Sequence, residues 1–368
     1  MTKYLSNQLP DNQLILQNGE EYLWFSGTDY LGMGHNESFQ SYLVEGLKIY
    51  GTHFGSSRNN SLQLNIYNEA EIALAEFTGA PAALTVSSGM WAGQLVLREI
   101  ENIILNQDFS ESTRQIKYHY SPGVHPAIWG KDYAVNSKTW SDWAYETIQL
   151  IGESTENVAH VICSDAVGSP WVNDFDFSIF DNLPSQKNIQ FIVDDSHGLG
   201  VCGRSGNGIY QKIAELKNAK VIVVASLNKA MGIPAGTILA DESIIARLRN
   251  SPWFSGASPC APAYIFAFKK LLDANLYQKA YEHLLSSISY FQNQISGIGI
   301  FSAIKNYPVF CSRDISLFPF LLDHGIMASR FSYPLSTDPP VTRLAISTLH
   351  QKEDLDRLAE VCIEFQKR

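Results

Sequence analysis

The segment VDDSHGLGVCGRSGNG, residues 193–208, decides the fold. It closes an apolar run, IQFIVDD (189–195), that reads as a strand covered on both faces. Similar runs lie on either side of it: AALTVSS (82–88), HVICSDAV (160–167) and KVIVVASL (220–227). Helical stretches alternate with them, the first being WAGQLVLREI (91–100). That alternation predicts an α/β domain with a mostly parallel sheet. Ligands of such sheets gather at the carboxyl ends of the strands. Asp194 stands at such an end, and the glycines after it permit tight turns. A buried carboxylate there needs a cationic partner. Taken alone, the segment is equally compatible with Asp194 and Asp195 capping a turn.

The next strand leads into ASLNKAMGIPAG (225–236). A lysine just past a buried strand can lose its charge by desolvation and become a nucleophilic amine, although a surface lysine is the plainer reading of one segment. The two segments together say more. An aspartate on one strand end and a lysine one βαβ unit later meet the needs of pyridoxal 5′-phosphate (PLP). Lys229 would carry the cofactor, and Asp194 would keep its pyridine nitrogen protonated. SSGMWAG (87–93) lies between a strand and a helix, where backbone amides and the helix dipole can hold a phosphate.

Composition narrows the rest. The 368 residues are 45% hydrophobic and carry a net charge of −10 without a long basic run, which argues against nucleic acid as the partner. No run of about 18 apolar residues predicts a membrane span. MTKYLSNQLPDNQ lacks the pattern of a secretory signal, so the expected compartment is the cytoplasm. Cys163, Cys202, Cys260, Cys311 and Cys362 are odd in number, scattered and without a CxxC pair, so neither a disulfide framework nor a metal site is expected. From residue 256 onward the pattern changes to long helices, short β-like pieces (YPVFCS, TRLAIST) and a final helix, which predicts a smaller α+β unit.

These motifs resemble, in order, those of the α-oxoamine synthases, in the class II aminotransferase branch of fold-type-I PLP enzymes. The resemblance runs from about Tyr22 to the C-terminus. GTDYLGM (27–33) is similar to SNDYLGL, and YGTHFGSSRNNSLQLNIYNEAE (50–71) to the stretch opening on YGxGxGGSR. SSGMWAG is similar to the phosphate-binding SGyxAN turn, which implies phosphate on the amides of Gly89 and Met90. HPAIWG implies that His125 stacks on the pyridine. DAVGSPW implies Ser169 near the cofactor oxygen. VDDSHGLGVCGRSGNG resembles VDEAHSxGxxGxxGrG, with Asp194 at the ring nitrogen and His197 at the ring hydroxyl. SLNKAMG implies Lys229 as the Schiff-base lysine and Ser226 as a phosphate ligand. FSGASPCAP (254–262) implies that Ser255 reaches the phosphate of a neighbouring subunit. TRLAIST (342–348) implies that Arg343 binds the substrate carboxylate, with Thr28 beside the amino-acid site.

The resemblance further implies a large domain with a mixed, mostly parallel seven-stranded sheet, a smaller C-terminal α+β domain, and a homodimer with shared sites. The expected divisions are 1–44 (N-terminal segment packing with the small domain), 45–255 (PLP-binding) and 256–368 (small domain). The implied reaction condenses an amino acid with an acyl thioester, from acyl-CoA or an acyl carrier, with decarboxylation to an α-amino ketone. Another PLP reaction on the same scaffold, such as transamination or aldol cleavage, is the alternative, and a non-catalytic partner subunit a further one. Thr28, Leu62, Tyr67 and Ala345 depart from the family pattern, having replaced Asn, Gly, His and the second arginine of RLR. The segment before QLILQNGEEYLWF is also short next to the family's N-terminal helix. These departures bear on the acyl donor and the amino acid rather than on the cofactor core.

Overall fold

The computed structural model describes residues 3–105, 115–333 and 337–368. Two short strands open the chain, β1 (Gln13–Ile15) and β2 (Glu21–Phe25). Helix α1 (Glu37–Tyr50) follows, its first turn capped by the Asn36 side chain, which accepts the Phe39 N–H at 2.9 Å. Helix α2 (Ile66–Thr78) stops at Gly79, whose φ of +71° suits glycine. Then come β3 (Ala82–Val86), α3 (Gly89–Leu105), β4 (Gln115–Tyr120), α4 (Trp140–Glu153), β5 (Val158–Asp165), β6 (Asn188–Asp194), β7 (Lys220–Ser226) and β8 (Gly236–Ala240).

Strands β3 to β8 make one sheet in the order β3-β8-β7-β6-β5-β4. Strands β4 to β7 run parallel; β8 is antiparallel to both β7 and β3. The sheet is mixed and mostly parallel, as the apolar runs predict. It holds six strands among the described residues, where the family resemblance implies seven. Every residue of β5 is buried, and so is all of β6 after Asn188. This follows from helices covering both faces, and two apolar clusters fill the layers.

The second sheet draws on both ends of the chain, in the order β1-β2-β11-β12-β10-β9. Its later strands are β9 (Ser302–Ala303), β10 (Val309–Ser312), β11 (Ile326–Phe331) and β12 (Val341–Ala345). β2 pairs in parallel with β11, aligning Leu23 with Ile326. That pairing brings the GTDYLGM loop against the large sheet. Asp29 shapes the loop by accepting the Met33 and Gly34 N–H groups at 2.8 and 2.9 Å. Met33 packs so closely on Gly232 that a Cβ there would lie 2.4 Å from the Met33 Cβ. The N-terminal loop therefore closes over the turn that carries Lys229.

Candidate active site

The site forms where four parallel strands end. β5 ends on Asp165 and β6 on Asp194, and the two residues pair in register. Lys229 lies in the turn after β7. That turn is held by the Leu227 N–H to the Ala235 carbonyl at 2.9 Å, the Ile233 N–H to the Leu227 carbonyl at 2.8 Å and the Gly232 N–H to the Lys229 carbonyl at 3.0 Å. His125 follows β4, and its N–H donates to Asp165 Oδ1 at 3.0 Å. The segments found separately in the sequence thus converge on one edge of the sheet.

Asp194 is 5% exposed. Its Oδ1 accepts the Ser196 N–H at 2.9 Å, and its Oδ2 lies 3.4 Å from His125 Nδ1. The same Nδ1 accepts the Ala127 N–H at 3.1 Å, so it presents a lone pair and the imidazole is not the cation that balances Asp194. Lys229 faces both carboxylates. Burial pushes its ammonium below the usual lysine range and Arg343 adds to this, while Asp194 and Asp165 oppose it. His197 is half-buried. Burial, with Lys229, Arg343 and His125 nearby, holds its imidazole neutral. Its Nδ1 is sealed from water without a hydrogen-bond partner among the described residues, and its carbonyl accepts the Tyr307 hydroxyl at 2.9 Å.

A narrow cradle lies beside Lys229. Gly89 starts α3, and a Cβ there would stand 2.5 Å from the Ser226 Cβ; a Cβ on Gly236 would stand 2.1 Å from the Ser88 carbonyl oxygen. The amides of Gly89 and Met90 have no acceptor within their own helix. Ser88 Oγ accepts the Trp91 N–H at 3.1 Å. The Ser226 N–H donates to Ser196 Oγ at 2.7 Å, and Ser226 Oγ accepts the Asn228 N–H at 3.3 Å. An anion of phosphate size fits this geometry: free helix amides, small residues and a hydroxyl.

Arg343 is buried in β12, in register with Cys311 of β10 and Ser329 of β11. It donates to the Tyr30 hydroxyl, and its Nε has no hydrogen-bond partner among the described residues. The Tyr30 phenol is pushed up by burial in spite of that guanidinium. Thr28 is half-buried two residues earlier in the same loop. Ser169 lines a cavity of about 480 Å³ together with Asp165, Trp171 and Tyr333. Ser255 stands apart in the protomer. Its Oγ donates to the Ser251 carbonyl at 3.0 Å and accepts from Asn59 Nδ2 at 2.8 Å, and its carbonyl accepts the Ser57 hydroxyl at 2.7 Å.

Sequence reasoning did not single out Asp165, Ser196, Tyr307 or Tyr333. Asp165 had a usable signal, since it ends an apolar strand as Asp194 does. The others come close through the loops and the small sheet, which local patterns do not encode. Two departures have clear settings. Tyr67 is buried and donates to the Cys260 carbonyl at 2.6 Å, with Arg58 over its ring at 4.4 Å. Ala345 is buried in the core, where a second arginine would need a partner of its own.

No protein-family model matches the chain. Relatives by sequence include the 8-amino-7-oxononanoate synthase of Petrotoga mobilis, 28% identical over 356 residues (92% of this chain, 87% of the relative). The 8-amino-7-oxononanoate synthase 1 of Bacillus velezensis is 24% identical over 358 residues (93% and 88%). Among solved structures, the Sphingomonas wittichii serine palmitoyltransferase superposes with a TM-score of 0.80 at 15% identity, covering 98% of this chain and 91% of that one. The Francisella tularensis 8-amino-7-oxononanoate synthase gives 0.68 at 19% identity, covering 94% and 98%. The two structures carry the fold, and the sequence relatives span nearly the whole chain. The chain thus has the fold of the PLP-dependent transferases and is similar in sequence, over nearly its whole length, to 8-amino-7-oxononanoate synthases.

Proposed function

We propose that this protein is a PLP-dependent acyltransferase that condenses an amino acid with an acyl thioester and releases CO₂ to give an α-amino ketone. One observation carries the reading. A half-buried lysine, Lys229, lies within electrostatic reach of Asp194 and of a buried arginine, Arg343. A carbonyl cofactor needs the amine, its ring nitrogen needs the carboxylate, and an amino acid needs the guanidinium.

The residues fit PLP. Lys229 would hold it, Gly89, Met90 and Ser226 would take its phosphate, and Asp194 would face its ring nitrogen. His197, with its unpartnered Nδ1, would serve the ring hydroxyl with Ser169 nearby, and His125 would stack on the ring. Bound there, PLP supplies an electron sink for negative charge developing on the amino-acid α-carbon. Asp194 would hold a proton on the ring nitrogen with the carboxylate that faces it. Arg343 orients the amino acid by its carboxylate, exchanging the Tyr30 hydroxyl for a stronger, two-pronged acceptor. Thr28 stands beside that carboxylate. Lys229 is placed to move the α-proton, because burial lowers its basicity.

The wider arrangement belongs to the same proposal. The enzyme works as a homodimer in the cytoplasm, with 45–255 as its cofactor-binding unit, 256–368 as its small domain and 1–44 packing with the latter. Val44, Leu47, Leu62, Ile72, Met90 and Trp253 are apolar and exposed in the protomer, several of them close in sequence to Ser255 or the phosphate turn, which supports a second copy there. Among the described residues no helix is long and apolar enough to cross a membrane. The test is direct. The purified protein is mixed with a panel of amino acids while the visible spectrum is recorded, acyl thioesters are added, and free thiol is measured. Amino-acid-dependent thiol release is the expected result; exchange of amino groups with 2-oxo acids and no thiol would make it an aminotransferase instead.

A further inference from the structure

Asp165 and Asp194 are side by side, in register, on adjacent parallel strands, and both are buried. Neighbouring strands lie about 4.8 Å apart, so the two carboxyl groups share one environment. Two carboxylates that close in a desolvated site do not both ionise readily. Their hydrogen bonds differ. Asp194 accepts the Ser196 N–H at 2.9 Å and lies 3.4 Å from His125 Nδ1. Asp165 accepts one N–H, that of His125, at 3.0 Å; its other oxygen has no hydrogen-bond partner among the described residues, and the residue lines the cavity beside Ser169 and Tyr333.

We propose that Asp165 carries the proton of this pair, so that the cofactor faces a single charged carboxylate, Asp194, while Asp165 acts as a neutral positioning residue that anchors the backbone of His125. The proposal rests on the functional reading above, with the cofactor on Lys229. The groups that face Asp165 are Asp194 from β6, Lys229 from the turn after β7, and His125 and Tyr133 from the segment after β4. Cys163 of its own strand and Tyr333 after β11 complete the set. Lys229 is the only one of these that is cationic, and Asp194 is its stronger partner. The tyrosines and the thiol are pushed up and remain neutral, and His125 is pushed down. Burial and the Asp194 charge push the Asp165 carboxyl well up, against the smaller effects of the His125 N–H and Lys229. His125 thus stands between two neighbouring acids: the neutral one holds its backbone, and its ring, fixed by the Ala127 N–H, lies beside the charged one.

The prediction separates two substitutions at the same position. Asp165→Asn keeps the acceptor for the His125 N–H and the net charge of a protonated acid. It should leave the cofactor dissociation constant within about twofold, and the pH midpoint of the visible band of the lysine-bound cofactor within about 0.3 unit. Asp165→Ala removes the acceptor and should weaken cofactor binding on the order of tenfold, with the Asn variant as the rescue. Should Asp165→Asn lower the midpoint by a unit or more, Asp165 is ionised in the holoenzyme and the proposal is overturned. Equal cofactor affinity for Asp165→Ala and wild type would remove the anchoring role. Borohydride reduction and peptide mapping of the wild type test the underlying reading separately: a label on any lysine other than Lys229 overturns both.

Discussion

His125 Nδ1 lies 3.4 Å from Asp194 Oδ2 while accepting the N–H of Ala127 at 3.1 Å. The histidine is therefore held in the tautomer that has its proton on Nε2, and it gives Asp194 no hydrogen bond. A buried carboxylate without a protonated neighbour on that side is suited to a cation that arrives with the cofactor. Asp194→Asn keeps the shape and the Ser196 contact but loses the charge. It should still bind PLP, with turnover lower by on the order of 100-fold or more, the kinetic equivalent of losing about 3 kcal/mol. Turnover near that of wild type, measured as thiol release, would make Asp194 a strand cap only.

The phosphate cradle gives a steric prediction. A Cβ on Gly236 would stand 2.1 Å from the Ser88 carbonyl oxygen and 2.7 Å from the Gly89 nitrogen, both of them backbone atoms. Gly236→Ala must displace the start of α3, and overpacking of this kind costs about 1–3 kcal/mol. The dissociation constant for PLP, followed by fluorescence titration, should rise roughly tenfold or more. Gly152→Ala is the control, because nothing lies within 4 Å of its added Cβ. Identical PLP affinity for Gly236→Ala and wild type would place the phosphate elsewhere.

Asp195 gives a pH dependence. It is 1% exposed, its Oδ2 accepts the Ile209 N–H at 2.9 Å, and its Oδ1 has no hydrogen-bond partner among the described residues. Burial, with a smaller push from Asp194, raises its carboxyl to about 8. Folded-state affinity for the proton then exceeds that of the unfolded chain, whose carboxyl titrates near 4. The folded state binds more protons between those values, so stability attributable to this group falls as pH rises from about 4 to about 8 and is level above that. Asp195→Asn keeps the acceptor and abolishes the titration. In urea unfolding without cofactor, the variant should gain on wild type between pH 5 and pH 8; a constant difference across that range would mean that Asp195 folds as an anion.

How much of this was legible in the sequence depends on the range of the interaction. Strand β6 announced itself because every residue from Ile189 to Asp194 is buried, and the turn after β7 because Gly232 and the small residues near it pack against the Met33 loop. Lys229 and Asp194 could be paired because one βαβ unit separates them. Ser255 could be named only through a resemblance, since its contacts in the protomer are with Ser57, Asn59 and Ser251. Tyr30 could not be tied to Arg343 at all. The two are 313 residues apart and meet only because β2 and β11 share a sheet. Strand counts suffer similarly: an apolar run announces a buried strand, whereas edge strands such as β4 alternate between half-buried and exposed positions.

That Tyr30–Arg343 contact frames the most discriminating prediction. Arg343 is 6% exposed, a neutral phenol is its one hydrogen-bond partner among the described residues, and its Nε is unmatched. A guanidinium in so dry a site is under-satisfied, and a carboxylate would meet it with two parallel bonds and an opposite charge. Removing one side of such a pair costs on the order of 2–5 kcal/mol, roughly 30-fold or more in affinity. Arg343→Ala should weaken amino-acid binding by that factor while leaving the spectrum of the lysine-bound cofactor unchanged. Arg343→Lys should recover only part of the loss, because an ammonium cannot make the two-pronged contact. Tyr30→Phe removes the competing hydroxyl without touching the charge, so it should hold amino acids as tightly as wild type or more so. Titrations that return one dissociation constant for wild type and Arg343→Ala would mean that the carboxylate is bound elsewhere; the Tyr30–Arg343 pair would then be a buried brace between the N-terminal loop and the small sheet, and Tyr30→Phe would lower the unfolding midpoint instead.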